Sequence, residues 1–220
     1  MDRKKLQTEI IVLSSEVSIR KSIKLAAELI EEGEIIAFPT DTLYGLGCSI
    51  FDENAIRNLF ELKCRNLTKP INALIGSIEQ LSYVAENIPL IVYEVIKEFW
   101  PGDLTLILQK KNEIPNILTN GMNTIGVRMP NNEVTLRLIC EVDKPLATTS
   151  ANISGKPSIT NAKQVLDNFR NKIPLILDSG ESKIGKESTI ISLVTEPPSI
   201  IRQGSLSIEK LKRIIPNLKE

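Results

Sequence analysis

The chain has 220 residues, of which 42% are hydrophobic, enough to bury one sizeable core. Lysine plus arginine and aspartate plus glutamate each number 27, and this zero net charge argues against binding nucleic acid or membranes through bulk charge. The sequence contains no histidine, which excludes Ser-His-Asp and Cys-His catalysis and histidine-ligated zinc.

Short apolar runs alternate with amphipathic segments along the chain. Strands are predicted over residues 8–13, 35–38, 71–75, 104–109, 124–129 and 145–149. Helices are predicted over residues 18–32, 52–62, 79–85, 89–99 and 134–140, with Ser18 and Asp52 capping the first two. The same mixture continues through residues 160–169, 175–178, 188–194, 199–202 and 207–215. This interleaving predicts an α/β (α+β-like) fold with a single mixed sheet flanked by helices, in one domain spanning residues 1–220.

The cysteine pattern and the hydropathy predict a cytoplasmic protein. Cys48, Cys64 and Cys140 are an odd, scattered set without a CxxC pair, as expected for reduced thiols in a cell. The first residues contain no apolar signal segment, and no stretch approaches the length of a transmembrane helix. No membrane partner is expected.

Two polar loops and a basic cluster carry most of the functional information. The loops are PTDTLYGLG at 39–47 and TTSANISG at 148–155, each directly after an apolar run. In the cluster, Lys63, Arg65 and Lys69 fall within seven residues. Small hydroxyls, glycines and spaced cations at strand ends suit an anion such as a nucleotide phosphate, and they suit a metal cage much less well.

The glycines and the cations also have structural interpretations. Gly45 and Gly47 either let a ligand approach the backbone closely or form a tight turn. Lys63 and Arg65 follow a predicted helix, where the helix dipole favours cations. A basic loop held by a following proline is the alternative, and it would aim these charges at a ligand.

The remaining candidates lie at other strand ends. Ser150 and Asn152 either donate to a phosphate or satisfy their own turn. Arg128, late in a strand, is expected to pair with a carboxylate of the protein or of a ligand, and Arg202 has the same two interpretations. The segment 187–189 is either a strand cap or part of a site. Their joint occurrence at strand ends favours a site.

In this order the motifs resemble the Sua5/YrdC/YciO family from about residue 22 to residue 204. The matching segments are PTDTLYGLG at 39–47, Lys63 and Arg65 with Lys69-Pro70 after them, WPGDLT at 100–105, GVRMP at 126–130, TSANISG at 149–155, EST at 187–189 and RQG at 202–204. The resemblance implies a twisted mixed sheet with a concave basic cleft. It also implies a threonylcarbamoyl-AMP synthase, which makes threonylcarbamoyl-AMP and pyrophosphate from L-threonine, bicarbonate and ATP for the t6A modification of tRNA position 37.

The resemblance assigns roles to individual residues. Lys63, Arg65, Ser150 and Asn152 match the catalytic triphosphate and adenylate site; Thr124, Ser158 and Arg202 match further ATP contacts; Thr40, Arg128, Thr148 and Ser188 match the threonine pocket. Mg²⁺ is expected to arrive with ATP rather than in a protein metal site. A hand-off of the product to the tRNA threonylcarbamoyl-transferase complex is implied, with weak or no direct RNA binding.

The sequence departs from the family pattern at three positions. Asn66 stands where a proline is usual, and Leu74 and Asn132 stand where many members have histidine. A nucleotide- or RNA-binding paralogue of the YciO kind is the alternative, although 4% aromatic residues offer few platforms for stacking bases. Carbamoyl transfer from carbamoyl phosphate, as in related hydrogenase-maturation domains, is a third interpretation.

Overall fold

Ten short strands pair in one mixed sheet in the computed structural model, which describes residues 6–220. The strands are β1 (Glu9–Val12), β2 (Ile36–Phe38), β3 (Gly45–Ser49), β4 (Asn72–Leu74), β5 (Leu104–Gln109), β6 (Thr124–Arg128), β7 (Leu146–Ser150), β8 (Leu175–Asp178), β9 (Thr189–Ser192) and β10 (Ser199–Arg202). Their order across the sheet is β1-β8-β2-β3-β7-β4-β6-β5-β9-β10, with parallel and antiparallel neighbours. The predicted mixed α/β sheet is confirmed, whereas the single-domain assignment stays a prediction.

Eight helices connect the strands in the described part of the chain. They are α1 (Glu16–Glu31), α2 (Glu53–Leu62), α3 (Leu81–Val84), α4 (Leu90–Phe99), α5 (Asn116–Thr119), α6 (Glu133–Val142), α7 (Ala162–Phe169) and α8 (Ile208–Ile214). None of the helices within residues 6–220 is both long and apolar enough to span a membrane.

Helix caps account for where several helices begin. The Asp52 carboxylate accepts hydrogen bonds from the first turn of α2, as predicted. The prediction of Ser18 as the cap of α1 is wrong, because the Ser15 hydroxyl accepts from the Ser18 amide and the helix begins at Glu16. Asn132, which replaces a family histidine, caps α6 by accepting from the Thr135 amide. This departure from the family pattern therefore has a structural role here.

Strand β3 was not predicted, because its glycines made the segment read as a loop. Gly45 pairs with Phe38 in the antiparallel β2–β3 ladder, and Gly47 pairs with Ile36. A Cβ atom on Gly47 would lie 2.7 Å from the Phe38 ring. The glycines therefore make room for an aromatic ring on the neighbouring strand β2. At Gly47 this corrects the interpretation that the glycine lets a ligand approach the backbone.

The sheet is apolar on both faces. Ile36 and Phe38 point into one hydrophobic cluster, which contains residues of α1 and α6. Ala37 and Leu46 point into a second, larger cluster with residues of α2 and α4. Since side chains alternate along a strand, these two clusters lie on opposite faces of the sheet. Leu74 belongs to the Phe38 cluster, so the even-numbered residues of β4 share the Phe38 face.

Candidate functional site

A cavity of about 130 Å³ lies on the Phe38 face, where β7, β4 and β6 run side by side. Its lining is mostly polar: it includes Thr40, Thr42, Arg65, Asn72, Leu74, Thr105, Arg128, Thr148, Thr149, Ser150, Glu187, Ser188 and Arg202. These residues come from both polar loops, the basic cluster and five strands, although they are far apart in sequence. The sheet therefore brings most of the predicted motifs to one place.

Strand register orders the cavity into rows. In the first row, Leu74 of β4 lies opposite Arg128 of β6 and Leu146 of β7. In the second, two residues back along β4, Asn72 lies opposite Thr148 of β7. Successive rows are separated by two residues of extended strand, roughly 6.6 Å.

The third row follows from the directions of β6 and β7. Strand β4 is parallel to β6 and antiparallel to β7. A step of two residues toward the start of β6 therefore goes in the same direction across the cavity as a step of two residues toward the end of β7. Thr124 of β6 and Ser150 of β7 therefore share the row beyond Asn72. Arg128 and Ser150 mark opposite ends of the cavity.

Arg128 is held at its end of the cavity by three protein groups. Its Nη2 donates to Asp41 Oδ1 at 2.5 Å, its Nη1 to Thr42 Oγ1 at 2.7 Å, and its Nε to the Gly102 carbonyl at 2.8 Å. Burial lowers the pKa of Arg128, and the Asp41 carboxylate beside it opposes that shift. The expected carboxylate partner is thus a protein group, while two of the five guanidinium N–H groups remain outside these contacts.

The loop that carries Asp41 is organised by Thr40. The Thr40 hydroxyl donates to the Leu43 carbonyl at 2.6 Å and accepts from the amides of Thr42 and Leu43. Such side-chain bonds to the backbone fix a tight turn without further secondary structure. Thr40 therefore lines the cavity and also presents Asp41 and Thr42 to Arg128.

A second arginine borders the cavity beside β9. Arg202 makes an ion pair with Glu187 at 2.8 Å and donates through Nη2 to the Ser188 carbonyl at 3.0 Å. The Ser188 hydroxyl lies 2.8 Å from the Thr105 hydroxyl. Thr105, on β5, was not among the predicted site residues. Ser188 is thus held by Arg202 on one side and by Thr105 on the other.

Arg65 differs from the other two arginines. Its Nε donates to the Lys69 carbonyl at 3.0 Å and its Nη2 to the Pro70 carbonyl at 2.9 Å. These bonds pin the basic loop between α2 and β4, as the following proline suggested. No carboxylate within residues 6–220 forms a salt bridge with Arg65, so its charge is available to an anion in the cavity.

Lys63 lies behind the cavity. Its side chain is buried, and its Nζ donates to Thr149 Oγ1 at 3.2 Å and to the Ser150 carbonyl. Lys63 therefore supports the end of β7, and the prediction of a direct phosphate contact for it stays a prediction. Burial lowers the pKa of Lys63 to about 7, and neighbouring Arg65 adds to the effect.

This buried lysine predicts a pH-dependent stability. Between pH 7 and the ordinary lysine pKa of 10.5, the unfolded chain holds a proton at Lys63 that the folded chain lacks. The free energy of unfolding should therefore rise with pH across this window, on the order of a few kcal/mol more in the native chain than in Lys63→Met. Urea unfolding of both proteins from pH 6 to pH 10 measures the difference. Parallel stability curves would rule out a neutral buried lysine.

The second polar loop is held together by its own side chains. The Ser150 hydroxyl donates to Asn152 Oδ1 at 2.5 Å, and Asn152 Nδ2 donates to the Lys156 carbonyl at 2.7 Å. Ser150 lines the cavity, whereas Asn152 is not part of the lining and its side chain satisfies its own turn. Ser158 is exposed farther along the same loop.

Most predicted site residues meet at the cavity. Its lining includes Thr40, Arg65, Arg128, Thr148, Ser150, Ser188 and Arg202. Outside the lining are Lys63, Asn152, Thr124 and Ser158, although Thr124 lies in the Ser150 row. The sequence prediction left out Asp41, Thr42, Thr105, Thr149, Asn72 and Glu187. All of these except Asn72 belong to motifs that carried the resemblance, and membership of those motifs was the signal that could have identified them.

The lining suits an anion. Three arginines and several hydroxyls face or border the cavity, and Glu187 is paired with one of them. Across the described residues, no group of three or more His, Cys, Asp or Glu side chains is placed to hold a metal ion.

Comparisons with known proteins identify relatives of this chain. A family model described as "Telomere recombination" and named for Sua5, YciO and YrdC matches residues 28–204. The threonylcarbamoyl-AMP synthase of Pyrococcus abyssi is 45% identical over 197 residues, which is 90% of this chain and 58% of that protein. The crystal structure of P. abyssi Sua5 complexed with L-threonine has a TM-score of 0.93 at 44% identity, covering 96% of this chain and 62% of the other.

A more distant structure has the same fold. Escherichia coli YciO gives a TM-score of 0.82 at 24% identity, covering 92% of this chain and 98% of YciO, and this likeness concerns the fold alone. The chain spans a little over half the length of several curated relatives that it matches. Because the family model matches most of the chain, over the segments that contain the cavity, the chain belongs to the Sua5/YciO/YrdC family.

Proposed function

We propose that this chain is an L-threonylcarbamoyladenylate synthase, a nucleotidyltransferase that forms threonylcarbamoyl-AMP and pyrophosphate from L-threonine, bicarbonate and ATP. The observation that carries the proposal is that the two ends of the row of strands present different groups to the cavity. Arg128 stands at one end, while Ser150 and Arg65, which forms no salt bridge within residues 6–220, belong to the other. A small amino acid and a nucleotide can thus lie end to end.

The relatives support the same substrates. The P. abyssi relative bears the name of this activity, and a structure of P. abyssi Sua5 is described as a complex with L-threonine. In this proposal the Arg128 guanidinium binds the threonine carboxylate through its remaining N–H groups, beside Thr40 and Thr148. Ser188 completes the pocket from β9.

The reaction needs no protein nucleophile. The threonine amine attacks the carbon of bicarbonate-derived carbon dioxide and loses a proton to form a carbamate. A carbamate oxygen then attacks the α-phosphorus of ATP, the bond between the α- and β-phosphates breaks, and pyrophosphate leaves. Positioning of three small reactants and stabilisation of phosphate charge supply the catalysis.

The chain's own residues divide this work. Arg65 offsets negative charge on the phosphates, and Ser150 contacts the nucleotide from the end of β7. Lys63 and Asn152 hold that strand end in place, and Arg202, Thr124 and Ser158 are further ATP contacts in the proposal. Mg²⁺ comes as part of the ATP substrate, bound by phosphate oxygens and water, which are the ligands it prefers.

The proposed product is an intermediate for t6A at tRNA position 37. An activated carbamoyl adenylate is unstable in water, so we propose a hand-off to a tRNA threonylcarbamoyl-transferase complex. Direct RNA binding by this chain is expected to be weak. Filter binding across a salt series tests the alternative of an RNA-binding paralogue, for which affinity would fall steeply with salt.

Pyrophosphate release tests the proposed function. The purified chain is incubated with ATP, Mg²⁺, L-threonine and bicarbonate, and each reactant is omitted in turn. Release should require all of them, because the carbamate is the group that attacks ATP. Equal release without threonine, or in bicarbonate-free buffer, would refute the proposal.

A further inference from the structure

Asn72 is a polar residue inside the cavity that no motif of the sequence singles out. It begins β4, lies opposite Thr148 of β7, and lines the cavity on the same face as Leu74 and Arg128. Among the hydrogen bonds of residues 6–220, none involves its side-chain amide. A carboxamide facing a polar cavity without a protein partner has donors and an acceptor to offer a ligand.

The neighbouring strand makes room for this side chain. A Cβ atom on Gly126 of β6 would lie 2.3 Å from Asn72 Oδ1 and 3.0 Å from Asn72 Cγ. No residue other than glycine at position 126 leaves the amide where it is. With Oδ1 against Gly126, the Nδ2 group remains as a donor toward the cavity.

The row of Asn72 falls between the two ends of the cavity. Arg128 lies one row to one side, and Ser150 and Thr124 lie one row to the other. One row is roughly 6.6 Å along the backbone, a spacing at which side chains from two neighbouring rows can contact the two ends of one N-carboxyl amino acid. The bond-forming group must lie between the amino acid and the nucleotide.

We propose that Asn72 is a substrate-contacting residue that binds the bicarbonate-derived carboxyl group, with Nδ2 donating to a carbamate oxygen, and that Gly126 positions it. This inference rests on the proposed synthase function. The amide is neutral, so it orients an oxygen of the carbamate without forming an ion pair with it. Leu74 and Arg128 then hold the amino acid on one side, and the nucleotide lies on the other.

Bicarbonate dependence of Asn72 variants tests the inference. Asn72→Leu should raise the bicarbonate concentration for half-maximal pyrophosphate release by about 10- to 100-fold, the effect of losing one hydrogen bond to a charged group. The requirements for threonine and ATP should stay near those of the native chain. Asn72→Asp, which keeps the shape, should be worse than leucine because a carboxylate repels the anion.

Controls separate this inference from the function on which it rests. Asn112→Leu, at an exposed asparagine beyond β5, should behave as the native chain. Gly126→Ala should reproduce the bicarbonate defect, and thermal unfolding checks that each variant folds. If the native chain releases no pyrophosphate in a bicarbonate-dependent way, the proposed function fails. If it does, and both folded Asn72 variants keep the native bicarbonate dependence, the role of Asn72 alone is refuted.

Discussion

Replacing Arg65 by alanine should lower the rate of pyrophosphate release by about 10²- to 10³-fold, as expected when one preorganised partner of developing charge is removed. Arg128 is paired with Asp41 and Arg202 with Glu187, whereas Arg65 forms no salt bridge with a carboxylate of residues 6–220. The loss should appear in the maximal rate at saturating substrates. Steady-state release assays measure it directly.

Two variants separate charge from loop structure. Arg65→Lys keeps the charge but loses the paired bonds to the carbonyls of Lys69 and Pro70, so it should recover part of the rate. Arg57→Ala, on the exposed side of α2, serves as the matched control and should be silent. Native rates in a folded Arg65→Ala protein would show that Arg65 does not contribute to catalysis.

Arg128→Lys should raise the threonine concentration for half-maximal activity by about 10- to 100-fold and change the ATP requirement much less. The planar guanidinium meets Asp41, Thr42 and Gly102 and still has donors for a substrate carboxylate, whereas a lysine ammonium has three donors in all. Substrate titrations of threonine and ATP, each at saturation of the other reactants, measure the two requirements.

Substitution of Arg128 should also lower the free energy of unfolding, because Arg128 is a buried structural residue. Arg128→Met leaves Asp41 buried without its partner and should cost about 3–5 kcal/mol of unfolding free energy. Arg137→Lys is the control, since Arg137 forms an exposed ion pair with Glu16. An Arg128→Lys effect confined to ATP would move this arginine from the amino-acid end to the nucleotide end.

Much of the sheet could be predicted from the sequence, because most strands are apolar runs. Strand β3 was missed because Gly45 and Gly47 have no side chains, so the segment shows no alternation of apolar and polar residues. Gly47 is needed because the Phe38 ring of the neighbouring strand packs against it, and this contact is not visible in the sequence. The cap of helix α1 lies three residues earlier than predicted, because Ser15 and Ser18 are equally good caps in sequence and only the hydrogen bond decides between them.

The site was predictable as a set of residues but not as a geometry. Most of the motif residues do meet at one cavity. The sequence alone does not show that Arg128 pairs with the Asp41 carboxylate, nor that Lys63 donates to the end of β7. Both contacts join residues far apart in the chain and depend on how the strands pair. Asn72 was missed for the same reason: its place between the ends of the cavity exists only once β4 is set between β6 and β7.

In the proposed reaction, the cavity joins threonine to AMP through a carbamate. Incubation with ATP, isotopically labelled bicarbonate and each amino acid in turn, followed by mass analysis at neutral pH, tests it directly. We expect one acid-labile adenylate that carries the bicarbonate label, formed with threonine in preference to other amino acids and in equal amount to pyrophosphate. An adenylate without the label, or equal yields with every amino acid, would contradict it.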